Sequence, residues 1–166
     1  MDVEVIVEIP KGSRNKYEVD HDSDAIWLDR MLFTATQYPT DYGFFPGTLG
    51  EDGDPLDALV LLDEATFPGC HIMARPVGVF FMEDEKGRDA KVLCVPATDP
   101  RWSGLHDIGD LPPHLLQEIG HFFEVYKQLE PGKKSETSGW QGVGAAEAVV
   151  AEARNRASNA PSPDAR

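Results

Sequence analysis

The sequence predicts an α+β fold, with many short strands forming a small closed or nearly closed barrel and helices following them. Three observations carry this expectation. Short runs of strand length, the first alternating apolar and polar and a later one apolar throughout, fill the first 96 residues. Helical spacing begins only after residue 112. Clusters of Gly, Pro and Asp separate the early runs, as turns do.

The elements follow in order. Val3, Val5, Val7 and Ile9 alternate with Glu4, Ile6 and Glu8, and Pro10-Lys11-Gly12 ends this first strand. A second strand covers Lys16 to Val19, with Lys16 and Glu18 on one face because the side-chain period is two. Asp22-Ser23-Asp24 reads as a turn and Ile26 to Phe33 as a third strand. Residues 38–47 hold too much Pro, Gly and aromatic character for a helix, and read as an ordered loop or a short bent strand. Ala58 to Leu62 is a buried strand. Pro76 to Met82 and Lys91 to Pro96 form a hairpin around the turn at residues 84–89, with Gly87 near its tip. Leu115, Leu116, Ile119, Phe122, Phe123 and Tyr126 make one apolar stripe of a helix that Pro112 and Pro113 open and Pro131-Gly132 closes. A second helix spans Ala145 to Arg156. Residues 1–156 form one domain and 157–166 a loose tail; no internal repeat is present.

At 166 residues the chain hides roughly 70% of its unfolded surface, enough for a core without metal or disulfide staples. Its 41% hydrophobic and 27% charged residues are those of a globular protein and not of a disordered one. The net charge of −14 repels nucleic acid and anionic lipid, so neither is an expected partner. The longest apolar run, Ala58 to Leu62, is far too short to cross a bilayer. Met1-Asp2-Val3-Glu4 lacks the basic and apolar regions of a secretory signal, so a cytoplasmic location is expected. Cys70 and Cys94 stand in apolar surroundings with no C-x-x-C pair and read as free buried thiols.

Residues 141–166 carry three acids and three bases, so the whole charge excess lies before them. Within it, Glu51 to Glu64 holds six acids and no base. Asp52-Gly53-Asp54-Pro55-Leu56-Asp57 packs three carboxylates into a stiff loop: Gly53 permits a bend and Pro55 fixes its φ. Asp57 opens the buried strand. Crowded carboxylates repel unless protonated or bridged by a cation, and all-oxygen ligands suit Mg²⁺, Ca²⁺ or Mn²⁺. An EF-hand starting at Asp52 fails, because Leu56 and Asp57 stand where it needs an oxygen ligand and Gly. A D-x-D aspartyl-phosphate site fails too, since that pair follows a strand and this one precedes it.

Other charged residues have ordinary readings when taken singly. Lys127 offsets a helix dipole, Tyr126 is the last rung of the apolar stripe, and Lys16 and Glu18 make an exposed pair. Taken in order they say more. Glu8-Ile9-Pro10, Lys16-Tyr17-Glu18, Asp29-Arg30, Tyr38 to Gly43, Asp52 to Ala58, Arg75 to Gly78, Asp84-Glu85, Asp89-Ala90-Lys91 and Phe122 to Lys127 form a series. It resembles the family I soluble inorganic pyrophosphatases, in family order, across nearly all of residues 1–132. The length is similar to the compact prokaryotic type, and Ala58-Leu59-Val60-Leu61-Leu62 is similar to actinobacterial members. Past Gly132 the resemblance thins and carries no function over.

The resemblance implies a five-stranded OB-like closed barrel with two main flanking helices, and hydrolysis of pyrophosphate to two phosphates with several Mg²⁺ ions. Mn²⁺ substitutes and Ca²⁺ inhibits in this expectation. An acidic site for an anionic substrate is consistent once cations lie between them. Asp52, Asp57 and Asp89 are then ligands of the metals that bind first, Asp84 of metal arriving with substrate, and Glu18 and Glu8 further metal-side carboxylates. Water shared by two ions is activated near neutral pH and attacks phosphorus in line, with Asp54 or Asp89 accepting its proton. Lys16, Arg30, Tyr42, Lys91, Tyr126 and Lys127 grip phosphoryl oxygens. His21 reads as a surface histidine. The family also implies a homohexamer. A nucleic-acid-binding barrel fits the aromatics Tyr38, Tyr42, Phe44 and Phe45 but has the wrong charge. A Ca²⁺-binding structural protein would bind Ca²⁺ without releasing phosphate.

Overall fold

The alternating valines form a strand, β1 (Val3–Ile9), with Val3, Val5, Val7 and Ile9 all buried. The computed structural model describes residues 1–133 and 135–162. After β1 come β2 (Asn15–Val19), β3 (Ile26–Met31), β4 (Asp41–Phe44), β5 (Asp57–Val60), β6 (His71–Asp84) and β7 (Gly87–Pro96). Then follow α1 (Pro113–Val125), β8 (Ser135–Gly142) and α2 (Val143–Asn159). No helix among the described residues is long and apolar enough to cross a membrane.

The main sheet is mixed. It runs β1-β4-β5-β7-β6-β8, and β1 also pairs with β6, so five strands pair in a ring to which β8 adds an outer strand. β5 and β7 are parallel; the other neighbours are antiparallel. β2 and β3 pair only with each other. At Gly43 an added Cβ would lie 2.0 Å from the Ile6 carbonyl oxygen, so only glycine lets β4 approach β1 here.

Alternate residues of the same strands serve two cores. Leu59, Phe80, Met82 and Leu93 pack with Ile119, Phe122 and Phe123 of α1. Ala58, Val60, Val79, Phe81 and Val92 pack with Ala146, Val150 and Ala153 of α2, whose small side chains bring that helix close to the sheet. Asp41 is fully buried and structural: its carboxylate accepts from the Lys11 N–H at 2.8 Å, the Thr66 N–H at 3.1 Å and the Thr66 hydroxyl at 2.6 Å.

The expected hairpin is present, with β6 and β7 joined at residues 85–86 and Gly87 at φ +117°. The segment over residues 38–47 contains the short β4. Four expectations change. β6 begins at His71, crossing Pro76 through a register shift before Gly78, so a proline did not mark its start. β8 was not expected: Ser135 to Gly142 is polar, has two glycines and no alternating apolar residues, as suits a half-exposed outer strand. α2 continues to Asn159, so the first residues of the expected tail are helical, and residues 163–166 lie outside the described ones. Cys94 is buried but Cys70 is only half-buried.

Candidate active site

The acidic loop between β4 and β5 is folded onto itself. The Gly50 N–H donates to the Asp54 carbonyl at 2.6 Å, the Gly53 N–H to the Gly50 carbonyl at 3.2 Å, and the Asp54 N–H to Asp52 Oδ1 at 3.1 Å. Gly53 sits at φ +91°, a left-handed conformation that side-chain-bearing residues resist. The loop therefore holds Asp52 and Asp54 at one rim of a cavity of about 320 Å³. Glu8 on β1, Glu18 on β2, Asp57 on β5, Asp84 at the end of β6 and Asp89 on β7 line the same cavity. So do Lys16 on β2, Arg30 on β3, Tyr42 on β4, Lys91 on β7, and Tyr126 and Lys127 just past α1. Every candidate residue named from sequence thus faces one space, although the chain distances among them reach across most of the molecule.

Lys91 is at the centre and 1% exposed. The parallel register sets it opposite Asp57, and the two-residue period puts it on the face of Asp89. Its ammonium donates to Asp57 Oδ2 at 2.9 Å, Asp89 Oδ2 at 3.0 Å and the Tyr42 hydroxyl at 3.0 Å. These use all three of its donors. Its partners here are carboxylates and a phenol, the nearest acceptors to a buried cation. The Asp57 and Asp89 charges hold Lys91 firmly protonated against its burial. Two carboxylates share this one cation, and burial together with neighbouring Asp57 raises Asp89 to about 6.

The other charges are held more loosely. Lys16 pairs with Asp29 at 3.1 Å. Arg30 bonds Asp29 and, at 2.9 Å, Glu130, while its buried Nε–H has no hydrogen-bond partner among the described residues. Lys127 lies 3.9 Å from Asp84, and burial lowers its pKa. Burial raises the Tyr42 and Tyr126 phenols, which remain hydrogen-bond donors at neutral pH. Asp54 is exposed, its carboxylate 3.9 Å from Lys86.

Sequence reasoning missed several wall residues. His21 is exposed, as expected, and it also lines the cavity, edge-on to Phe44 at 4.9 Å. Asp29 and Glu130 orient Arg30, and only the Asp29-Arg30 adjacency hinted at this. Lys86 and Lys133 also stand on the wall, with no local signal to mark them.

The chemistry of the wall fits hard divalent cations. Nine acids and six Lys or Arg residues line the cavity, leaving an excess of three negative charges. Burial raises Glu8 to about 7 and raises Asp52 as well. Such carboxylates favour a proton or a cation, and their oxygens suit Mg²⁺. Among the described residues no three acids, histidines or cysteines stand close enough to hold an ion by themselves. Asp52, Asp57 and Asp89 line the same cavity, and the Lys91 ammonium bridges the last two.

Glu8 makes this cation demand measurable. Its carboxylate accepts the Val19 N–H at 2.9 Å, but burial outweighs that bond. The folded protein therefore holds the Glu8 proton more tightly than the unfolded chain does. Stability from this group is full below pH 4.5 and is lost as pH rises through about 7. In EDTA, the stability lost between pH 4.5 and 7.5 is expected to be about 3 kcal/mol smaller in Glu8→Gln than in the wild type, the raised Asp89 and Asp52 accounting for the loss that stays. Equal losses in both proteins would contradict the assignment.

A family model described as inorganic pyrophosphatase matches residues 5–158. An inorganic pyrophosphatase of Streptomyces coelicolor is 60% identical over 156 residues, covering 94% of this chain and 96% of that protein. The inorganic pyrophosphatase of Thermus thermophilus superposes with a TM-score of 0.92 at 50% identity, over 95% of this chain and 92% of its own. A truncated vacuolar soluble pyrophosphatase of Trypanosoma cruzi, crystallised with PPi, has a TM-score of 0.83 at 26% identity, over 95% of this chain and 69% of its own.

Proposed function

Because the chain belongs to the inorganic pyrophosphatase family, we propose that it hydrolyses pyrophosphate to two phosphates at this cavity, with Mg²⁺ as its cofactor. The observation that supports this most is the shared wall: excess carboxylates for cations, together with Lys16, Arg30, Lys127 and two phenols for phosphoryl oxygens. We read the ring of five strands as the OB-like barrel that carries it.

Asp52, Asp57 and Asp89 hold the first cations in this reading, with Asp84, Glu18 and Glu8 available for others. When bound, the cations supply charge against the phosphoryl oxygens and make water a better proton donor. Asp54 accepts the proton of the attacking water. Asp89 is the poorer base because its oxygen already receives a Lys91 hydrogen bond, whereas the Asp54 carboxylate accepts none from the described residues. The unpartnered Nε–H of Arg30 points to one phosphate grip, and its guanidinium is aligned by Asp29 and Glu130. Lys16, Lys127, Tyr42 and Tyr126 provide further donors toward the leaving phosphate. Lys91 positions the carboxylates.

Phosphate release from pyrophosphate tests this directly. Release with Mg²⁺, none with EDTA and inhibition by Ca²⁺ are expected; release unaffected by EDTA would refute the cation reading. The homohexamer belongs to the same proposal. Ile26, Trp27, Leu28 and Met31 of β3 are exposed, with Trp27 at 64%, and a second copy would remove this apolar surface from water. Light scattering should give a mass near six chains, and a single-chain mass would contradict it.

A further inference from the structure

We propose that Arg156, on the last turns of α2, is a positioning residue that sets the cation affinity of Asp52, through the main chain at Leu49. The proposal rests on the metal reading above. Arg156 at a helix C-terminus would ordinarily be taken as a dipole-compensating charge. Its guanidinium instead donates to the Leu49 carbonyl at 2.7 Å, across 107 residues of chain. The Leu49 N–H donates in turn to the Ala153 carbonyl of the same helix at 3.0 Å. Both polar groups of one peptide residue are therefore held by α2.

The consequence follows from how the acidic loop is built. Residues 50–54 are tied to one another by three hydrogen bonds, so they move as a unit. A unit of this kind is located by its two ends. The far end is tied back to the segment that follows β4: the Leu56 N–H donates to the Thr48 hydroxyl at 3.0 Å, and the Phe45 N–H to the Leu56 carbonyl at 2.9 Å. The near end is Leu49, held by Arg156 and Ala153. Between loop and helix the contact is not close-packed. A cavity of about 40 Å³ lies there, walled by Asp52 and Asp57 on one side and by Val149, Glu152, Ala153 and Arg156 on the other. Packing alone leaves the loop room to shift, so the two hydrogen bonds at Leu49 decide where Asp52 stands. Asp52 lines both this cavity and the active site.

The test is Mn²⁺ binding without substrate, read by electron paramagnetic resonance of the free ion, together with hydrogen exchange of the amides at residues 49–54. Arg156→Ala should weaken the tightest Mn²⁺ site about tenfold, the loss typical when a ligand's support is removed. Exchange at residues 49–54 should quicken. Arg156→Lys, which can still donate to the Leu49 carbonyl, should recover much of both. Arg154→Ala, which removes an exposed charge from the same helix, should leave both at wild-type values. Raising Mg²⁺ should restore turnover in Arg156→Ala. Wild-type Mn²⁺ affinity and exchange in Arg156→Ala would overturn the inference, as would an equal loss in Arg154→Ala. If Arg156→Ala does not fold, Arg156→Lys and Arg156→Gln carry the same comparison. Absence of Mn²⁺ binding to the wild type would overturn the proposed function and this inference together.

Discussion

Asp54→Asn is expected to lower pyrophosphate turnover by about 10²–10⁴-fold at saturating Mg²⁺, the usual contribution of a positioned general base. Stability should change by less than about 0.5 kcal/mol. The reason for the contrast is local. The Asp54 side chain is 66% exposed and pairs with Lys86 at 3.9 Å. The loop is closed through Asp54 main-chain atoms, which the amide leaves in place. The cations are assigned to neighbouring carboxylates, so the Mg²⁺ concentration for half-maximal activity should also stay close to that of the wild type. Near-normal turnover would move the proton to Asp89, the alternative acceptor beside Lys91 in the same cavity.

Lys91→Met should produce the opposite pattern, with stability damaged first. It removes a buried cation from Asp57, Asp89 and the Tyr42 hydroxyl at once. Breaking a buried ion pair from one side costs about 3–5 kcal/mol, against total stabilities of about 5–15 kcal/mol for domains. In EDTA the melting temperature should therefore fall by about 6–20 °C. Mg²⁺ should narrow the gap, because a cation between Asp57 and Asp89 replaces the lost charge. Activity should drop at low Mg²⁺ because those carboxylates are no longer held in place. The same melting deficit with and without Mg²⁺ would show that Lys91 has a role in the core only.

These two residues also show what a sequence makes legible. Asp54 lies in a string of six residues whose Gly and Pro dictate a loop, so both its chemistry and its surroundings are local. Lys91 was recognisable as a site residue, but its partners depend on the parallel register of β5 and β7, which no local pattern encodes. The amphipathic α1 was readable from its apolar stripe, and the β6–β7 hairpin from two apolar runs flanking a polar turn that holds Gly87. β8 was not, since Ser135 to Gly142 takes its shape from hydrogen bonds to β6 and not from its own apolar content. The hold of Arg156 on Leu49 joins residues far apart in the chain, and in sequence Arg156 is only a charge near a helix end. His21 falls into the same class, drawn to the cavity wall by an edge-on contact with Phe44.

Anomalous diffraction from crystals soaked in Mn²⁺ and a slowly hydrolysed pyrophosphate analogue would bear most directly on the cavity's role. Mn²⁺ peaks are expected within ligand distance of Asp52, Asp57 and Asp89, with the analogue between those ions and Lys16, Arg30 and Lys127. Mn²⁺ bound elsewhere on the molecule, with this cavity empty of metal and analogue, would contradict it.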